Sequence, residues 1–292
     1  MKRSLKRALH ALADLPAAPF AIAIIDDRDD PPVTVLAPAI DPRVGATALV
    51  IGRAGTFRGS TDDEQGNRQL LVLLHASDPL AIEARDLRSD AGVRDGRGER
   101  FVAARLLLPC VVDLGGALAV IGRPGALHDD ADAFANGADA LSPRCAHSLT
   151  LEAIELASRT TEFVPAPPTL LGFSLARRPE PTEAIDLTEL GLGLAGARRR
   201  IHGETITGEA LVEGFFIGRS GRCDWPSFVG ERFRSLSRLH GVICASNGDL
   251  FYCDTNSTVA KLGAEPAIVR VGRSTDVRLT AQLRLLLMAE VR

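Results

Sequence analysis

An all-β fold of two β-sandwich domains is what this 292-residue sequence predicts, on three observations. Apolar residues come in short runs, separated at close intervals by Asp-Asp, Pro-Pro, Gly and Asp-Gly. No apolar helical pattern of about ten residues or more stands between them, as βαβ units would require. And an Ile-Gly-Arg tripeptide at the end of one run, Ile51-Gly52-Arg53, returns as Ile217-Gly218-Arg219.

A chain of this length can hold two domains, each burying its own core. Apolar residues make up 46% and charged residues 24%, the balance of a soluble globular protein. The net charge of -3 argues against a dedicated binder of nucleic acid or of a membrane surface, because both need surplus Lys and Arg to meet phosphate. Cys110, Cys145, Cys223, Cys244 and Cys253 form no C-x-x-C pair and follow irregular gaps, so neither a disulfide framework nor a zinc site is indicated. A reducing cytoplasm is the expected location.

The first segment, Met1 to Arg7, carries charge like the start of a secretory signal. The apolar run that would have to follow, Phe20 to Ile25, ends at Asp26-Asp27. It is too short for a signal core or a membrane span. Leu5, Leu9 and Leu12 share one helical face, which predicts a short amphipathic helix packed on the first domain.

From Phe20 to Ile121 the short runs continue, and residues 18–125 are read as the first β-sandwich. Residues 126–185 change character: an acidic, Ala-rich piece from His128, then Pro143, Pro165, Pro167, Pro168, Pro179 and Pro181. This composition predicts a Pro/Ala/Asp-rich, partly ordered linker, with a short helix at 147–159 where Leu151, Ile154 and Leu156 recur. A degenerate third β unit is the alternative, since Gly122-Arg123 and Glu155-Leu156-Ala157-Ser158 echo the repeated motifs. Residues 186–292 are read as the second sandwich. At its end Val277, Leu279, Ala281, Leu283, Leu285, Leu287, Ala289 and Val291 alternate with neighbours that are mostly polar. Alternation predicts one strand, or two meeting at a bend, although Leu, Ala, Gln and Met also favour helix.

Three matches in one order, at nearly one offset, indicate a duplication. Ile51-Gly52-Arg53-Ala54-Gly55 matches Ile217-Gly218-Arg219-Ser220-Gly221, His75 matches His240, and Asp86-Leu87-Arg88-Ser89 matches Asp254-Thr255-Asn256-Ser257.

These residues resemble the forkhead-associated (FHA) domain family, whose pattern is a Gly-Arg at a strand end, a Ser-x-x-His after a loop and an Asp-x-x-Ser-x-Asn-Gly further on. The C-terminal copy carries Gly218-Arg219, Ser237-Arg238-Leu239-His240 and Asp254-Thr255-Asn256-Ser257-Thr258. The N-terminal copy carries Gly52-Arg53, His75 and Asp86 to Gly92 in degenerate form. The resemblance implies an eleven-stranded β-sandwich that binds phosphothreonine peptides. It also implies that Arg238 lies along the peptide, that Thr258 lines the groove, and that Gly218, His240, Asp254 and Ser257 serve the structure of the motif. Two departures stand out. The Asn-Gly after the Ser-Thr pair falls on Val259-Ala260, which removes the amide that would hold the peptide backbone. In the N-terminal copy the Ser position is Val72, the Asn position is Ala91, and Asp90 would repel a phosphate.

The residue chemistry supports such a site. Phosphothreonine carries about -1.5 to -2 charge and compact acceptor oxygens. A guanidinium meets two of those oxygens at once, which Lys cannot do, so Arg219 is the expected anchor. Ser237 adds a short donor. Ser220 and loop backbone N–H groups are expected to complete the cradle.

No metal pattern links His240 with Cys223, Cys244 and Cys253, and no group is identifiable to orient a Cys-His pair. Gly191, Gly193 and Gly196 lack the βαβ context of a dinucleotide fingerprint and read as turns. No cofactor is implied. The expected function is a non-enzymatic phosphothreonine-peptide-binding adaptor whose partner is a phosphorylated protein or a Ser/Thr kinase, with no nucleic acid and no membrane. The alternative is a phosphate-independent scaffold of two degenerate sandwiches. Thr182, three residues before Ile185, has the spacing of a phosphothreonine ligand and suggests self-association.

Overall fold

The computed structural model describes residues 2–25, 32–52, 55–56, 70–95, 98–124, 160–161, 170–177, 202–206, 208–224, 236–255, 268–279 and 283–289. The chain divides into two compact units, Met1–Val164 and Pro165–Arg292. Both are built from antiparallel β-sheets, so the all-β expectation holds.

In the first unit, β1 (Ala21–Ile25), β2 (Val33–Leu36), β7 (Val93–Arg94), β8 (Arg100–Phe101), β10 (Cys110–Asp113) and β11 (Leu118–Gly122) form one sheet, in the order β2-β1-β11-β10-β7-β8. The other contains β3 (Ala46–Gly52), β4 (Gly55–Thr56), β5 (Leu70–His75), β6 (Asp78–Asp86), β9 (Ala103–Leu107) and β12 (Thr160–Thr161), in the order β12-β9-β6-β5-β3-β4. The first sheet sends Phe20, Ile22, Val112 and Ile121 into a core that the second fills with Leu70, Val72, Ile82 and Leu106. The intervening β1 residues, Ala21, Ala23 and Ile25, meet Leu9 and Leu12 of helix α1 (Lys2–Ala13) on the opposite face. Burial on both faces explains why β1 is apolar throughout. It also bears out the amphipathic helix expected from Leu9 and Leu12.

The second unit contains β13 (Leu170–Arg177), β14 (His202–Ile206), helix α2 (Gly208–Glu213), β15 (Phe215–Ile217), β16 (Gly241–Ser246), β17 (Asp249–Asp254), β18 (Ile268–Arg270), β19 (Thr275–Arg278) and β20 (Leu283–Ala289). Its sheets run β14-β13-β20-β19 and β15-β16-β17-β18. Phe215, Ile217, Ile243, Leu250 and Tyr252 face Val277, Leu279, Leu285 and Leu287 across the core, with Leu211 of α2 beside them. Asn247 and Gly248, both at positive φ, make the two-residue turn that a β16–β17 hairpin requires. The C-terminal alternation resolves into two antiparallel strands, β19 and β20, with Arg278 opposite Arg284.

The two units share one topology. In chain order β1, β2, β3, β5, β6, β9, β10 and β11 correspond to β13 through β20, with the same neighbours in each sheet. This correspondence places the start of the second repeat inside the stretch read as linker. β13 lies between Pro168 and Pro179 and pairs with β14 and β20, so the second unit does not begin at 186. The prolines that suggested a linker flank a strand whose interior contains none. Thr160–Thr161, also within that stretch, pairs with β9 in the first unit. The helix expected at 147–159 and the residue Thr182 lie outside the described residues. Among the described residues, no helix is long and apolar enough to cross a membrane.

Candidate phosphate-binding site

Pairing between β15 and β16 ends at Ile217 opposite Gly241, but the chains stay joined beyond it. The His240 N–H donates to the Ile217 carbonyl at 2.8 Å, the Arg219 N–H to the Ser237 carbonyl at 3.2 Å, and the Ser220 N–H to the Arg238 carbonyl at 3.0 Å. The result is a strap of two loops, 218–224 and 236–240. Gly218 permits it. A Cβ there would run into the Arg238 carbonyl oxygen, with the carbonyl carbon 2.8 Å and Cys223 Sγ 2.9 Å away.

Each loop is fixed from within. His240, 1% exposed, accepts the Ser237 N–H on Nδ1 at 3.3 Å and so supports the serine loop from below. Asp224 closes the other loop onto edge strand β15: its Oδ2 accepts the Phe216 N–H at 2.8 Å, while its own N–H donates to the Phe216 carbonyl at 3.0 Å. The third motif piece arrives through Asp254, buried and opposite Gly241, and through Thr255. The Thr255 hydroxyl donates to the Leu239 carbonyl at 2.8 Å and its N–H to the His240 carbonyl at 3.0 Å.

The sequence-derived residues Arg219, Ser220, Ser237, Arg238, Gly218, His240 and Asp254 thus meet at one end of one sheet. Arg219 is exposed, with its Nε–H donating to the Leu236 carbonyl at 2.8 Å. That bond holds the guanidinium against the strap. Ser220, Ser237 and Arg238 are partly exposed. Thr258, Ser257, Asn256, Val259 and Ala260 lie outside the described residues. Four of the loop amides expected at a cradle are used within the strap. The N–H groups of Arg219, Ser220 and Cys223 donate to carbonyls of the strap itself, and that of Arg222 donates to Ser220 Oγ at 3.3 Å.

Sequence reasoning missed Cys223 as a member of the strap, together with Asp224, Thr255 and the exposed Arg222. Thr255 had a signal, being the residue after Asp254. Asp224 had none, because it works through a strand edge that only the fold defines.

In the first unit the row Ile51–Leu70–Asp86 corresponds to Ile217–Gly241–Asp254. The match of His75 with His240 is corrected by this register. His75 ends β5, opposite Ala46, at the far end of the sheet from Ile51. There it lies 3.9 Å from Glu83, which pairs with buried Arg85 at 3.1 Å. Val72, given the Ser position from the same match, is an interior residue of the sandwich core. Asp86 caps a turn, its Oδ1 accepting both the N–H and the hydroxyl of Ser89 at 2.9 Å. Burial pushes the Asp86 carboxyl above its ordinary range, against the opposing effect of those bonds and of Arg100.

No protein-family model matches the chain, and no curated protein matches it. Among solved structures, it is similar to the crystal structure of an FHA domain from a Chlamydia trachomatis protein. That likeness has 16% identity over 35% of this chain and 95% of the other, with a TM-score of 0.26.

Proposed function

We propose that the C-terminal unit binds phosphothreonine peptides in the manner of an FHA domain, and that the chain is a non-enzymatic adaptor for a phosphorylated protein or a Ser/Thr kinase. One observation carries this reading. Arg219, exposed, and Ser237 are joined through their backbones across the strap, so a residue with a planar cationic donor and one with a short hydroxyl donor occupy adjoining positions. A phosphoryl dianion asks for that pair. Arg238, the next residue in the strap, is suited to contact the peptide flank, and Thr258 follows the same segment as Asp254 and Thr255. The described cysteines, Cys110, Cys223, Cys244 and Cys253, are unbridged thiols, which supports a cytoplasmic setting.

Titration of the full 292-residue chain with phosphorylated and unphosphorylated threonine peptide libraries tests the reading. Binding should require the phosphate, and Arg219→Ala should weaken it about tenfold to a hundredfold, the range for losing charge-assisted hydrogen bonds. Equal binding of both libraries, or no loss in the variant, would overturn it.

A second reading applies to the first unit. Asp90, exposed, favours a phosphate-independent interaction domain, because its charge would repel a phosphate. Partner capture through that unit should survive phosphatase treatment of the partner.

A further inference from the structure

Cys223 has no role in the phosphate chemistry, yet it touches both loops of the strap. Its N–H donates to the Ser220 carbonyl at 3.0 Å, closing the turn that follows Arg219. Its thiol donates to the Arg238 carbonyl at 3.3 Å, the same oxygen that accepts the Ser220 N–H at 3.0 Å. The side chain occupies the space beside Gly218, 2.9 Å from where a Cβ would stand. It is 6% exposed, and its bond to the partly exposed Arg238 is part-buried. One carbonyl thus gathers a backbone donor and a thiol donor from the facing loop, next to the Arg219–Ser237 contact.

We propose that Cys223 is a positioning residue: its thiol sets the register of the Arg219 loop against the Ser237 loop, and through that register the site's affinity for phosphothreonine. The inference rests on the reading of this site as a phosphothreonine binder. Its structural half, the register, is measurable without any peptide.

A thiol, a hydroxyl and a branched hydrocarbon separate the causes. Cys223→Ser keeps a donor; Cys223→Val keeps bulk and removes the donor. In the unliganded full chain, amide hydrogen exchange at Ser220 and His240 should rise about threefold to tenfold in Cys223→Val, the amount one net hydrogen bond moves. It should return close to the wild-type rate in Cys223→Ser, and the amides of β17 should not change in either variant. Phosphopeptide affinity should follow the same order, falling in Cys223→Val and recovering in Cys223→Ser. Unchanged exchange at Ser220 and His240 would overturn the proposal, as would an equal rise throughout β17, which marks loss of stability rather than of register. Retained exchange and binding in Cys223→Val with loss in Cys223→Ser would overturn it too, assigning the effect to bulk. If the wild-type chain binds no phosphopeptide, the reading of the site fails, and the exchange result still decides whether Cys223 sets the register.

Discussion

The row Ile217–Gly241–Asp254 in the second unit and the row Ile51–Leu70–Asp86 in the first occupy the same place in the same topology, yet they are finished differently. The second row opens into a strap of two loops held by backbone bonds, with an arginine and a serine at its surface. In the first row Asp86 spends its carboxylate on Ser89, a turn closed on itself. Among the described residues, equivalent strand ends therefore lead into a strap of two loops in one copy and into a capped turn in the other, because the strand ends are set by the core while the loops are free to diverge.

The sharpest break in the comparison is at Gly218. A side chain there meets backbone rather than a flexible tip, so Gly218→Val must part the loops. Overpacking of this kind costs about 1 to 3 kcal/mol, and the upper end is expected. Amide exchange of β16 and β17, followed across a urea series, reads the stability of the second unit. Phosphopeptide binding should be lost even where the unit is folded. A variant with unchanged midpoint and binding would show that the close approach is not needed.

What could be read from the sequence follows the same division. Helix and strands were legible because burial imposes a pattern: Leu9 and Leu12 on α1 and the alternation at Val277, Leu279, Leu285 and Leu287 obey local rules. The Gly218-Arg219 and Ser237 to His240 pieces were legible because the residue types are unusual at strand ends. His75 misled because a one-residue match carries no register, and register is decided by pairing across strands, Ile51 with Leu70 and Leu70 with Asp86. β13 was hidden because its evidence is non-local: it is a strand by virtue of β20, more than a hundred residues away in the chain.

A volume exchange beside the two equivalent rows gives the next prediction. In the second unit Gly241 makes room for Tyr252, whose hydroxyl would meet any Cβ at 241 and whose ring carbon Cε2 would lie 2.5 Å from it. In the first unit the corresponding residues are Leu70 and Ala84, large and small exchanged, and both are buried in the core. Gly241→Leu alone should destabilise by about 1 to 3 kcal/mol through overpacking, and Tyr252→Ala by about 3 to 5 kcal/mol through the void it leaves. Made together they recreate the first unit's pair, and the double variant should be more stable than the sum predicts by about 1 to 3 kcal/mol. Additive losses in the protection of the β16 and β17 amides would mean that the two copies solve this packing independently. The Tyr252 hydroxyl adds a further asymmetry, being buried with no hydrogen-bond partner among the described residues. Its proton is held well above the usual phenol range by burial, then by Asp254 and Cys253.

The smallest expected effect belongs to the capped turn. The Asp86 carboxyl is raised because burial disfavours its charge more than Ser89 and Arg100 favour it. When folded, the first unit therefore holds the Asp86 proton to a higher pH than the unfolded chain does. Between the ordinary carboxylate value, about 3.9, and the raised folded value, the native state binds more protons, so stability falls as pH rises through that window. Asp86→Asn keeps an oxygen to accept the Ser89 N–H and hydroxyl while removing the charge. Its first unit should lose that acid-range slope and be at least as stable as the wild type at neutral pH. Amide exchange of β5 across pH reads the slope, and NMR titration of the Asp86 carboxyl reads its cause. A carboxyl titrating at or below the ordinary value would mean that the turn's hydrogen bonds outweigh burial. The Ser89 cap would then be a net gain to the fold at neutral pH, not the partial remedy for a buried charge that the raised titration makes it.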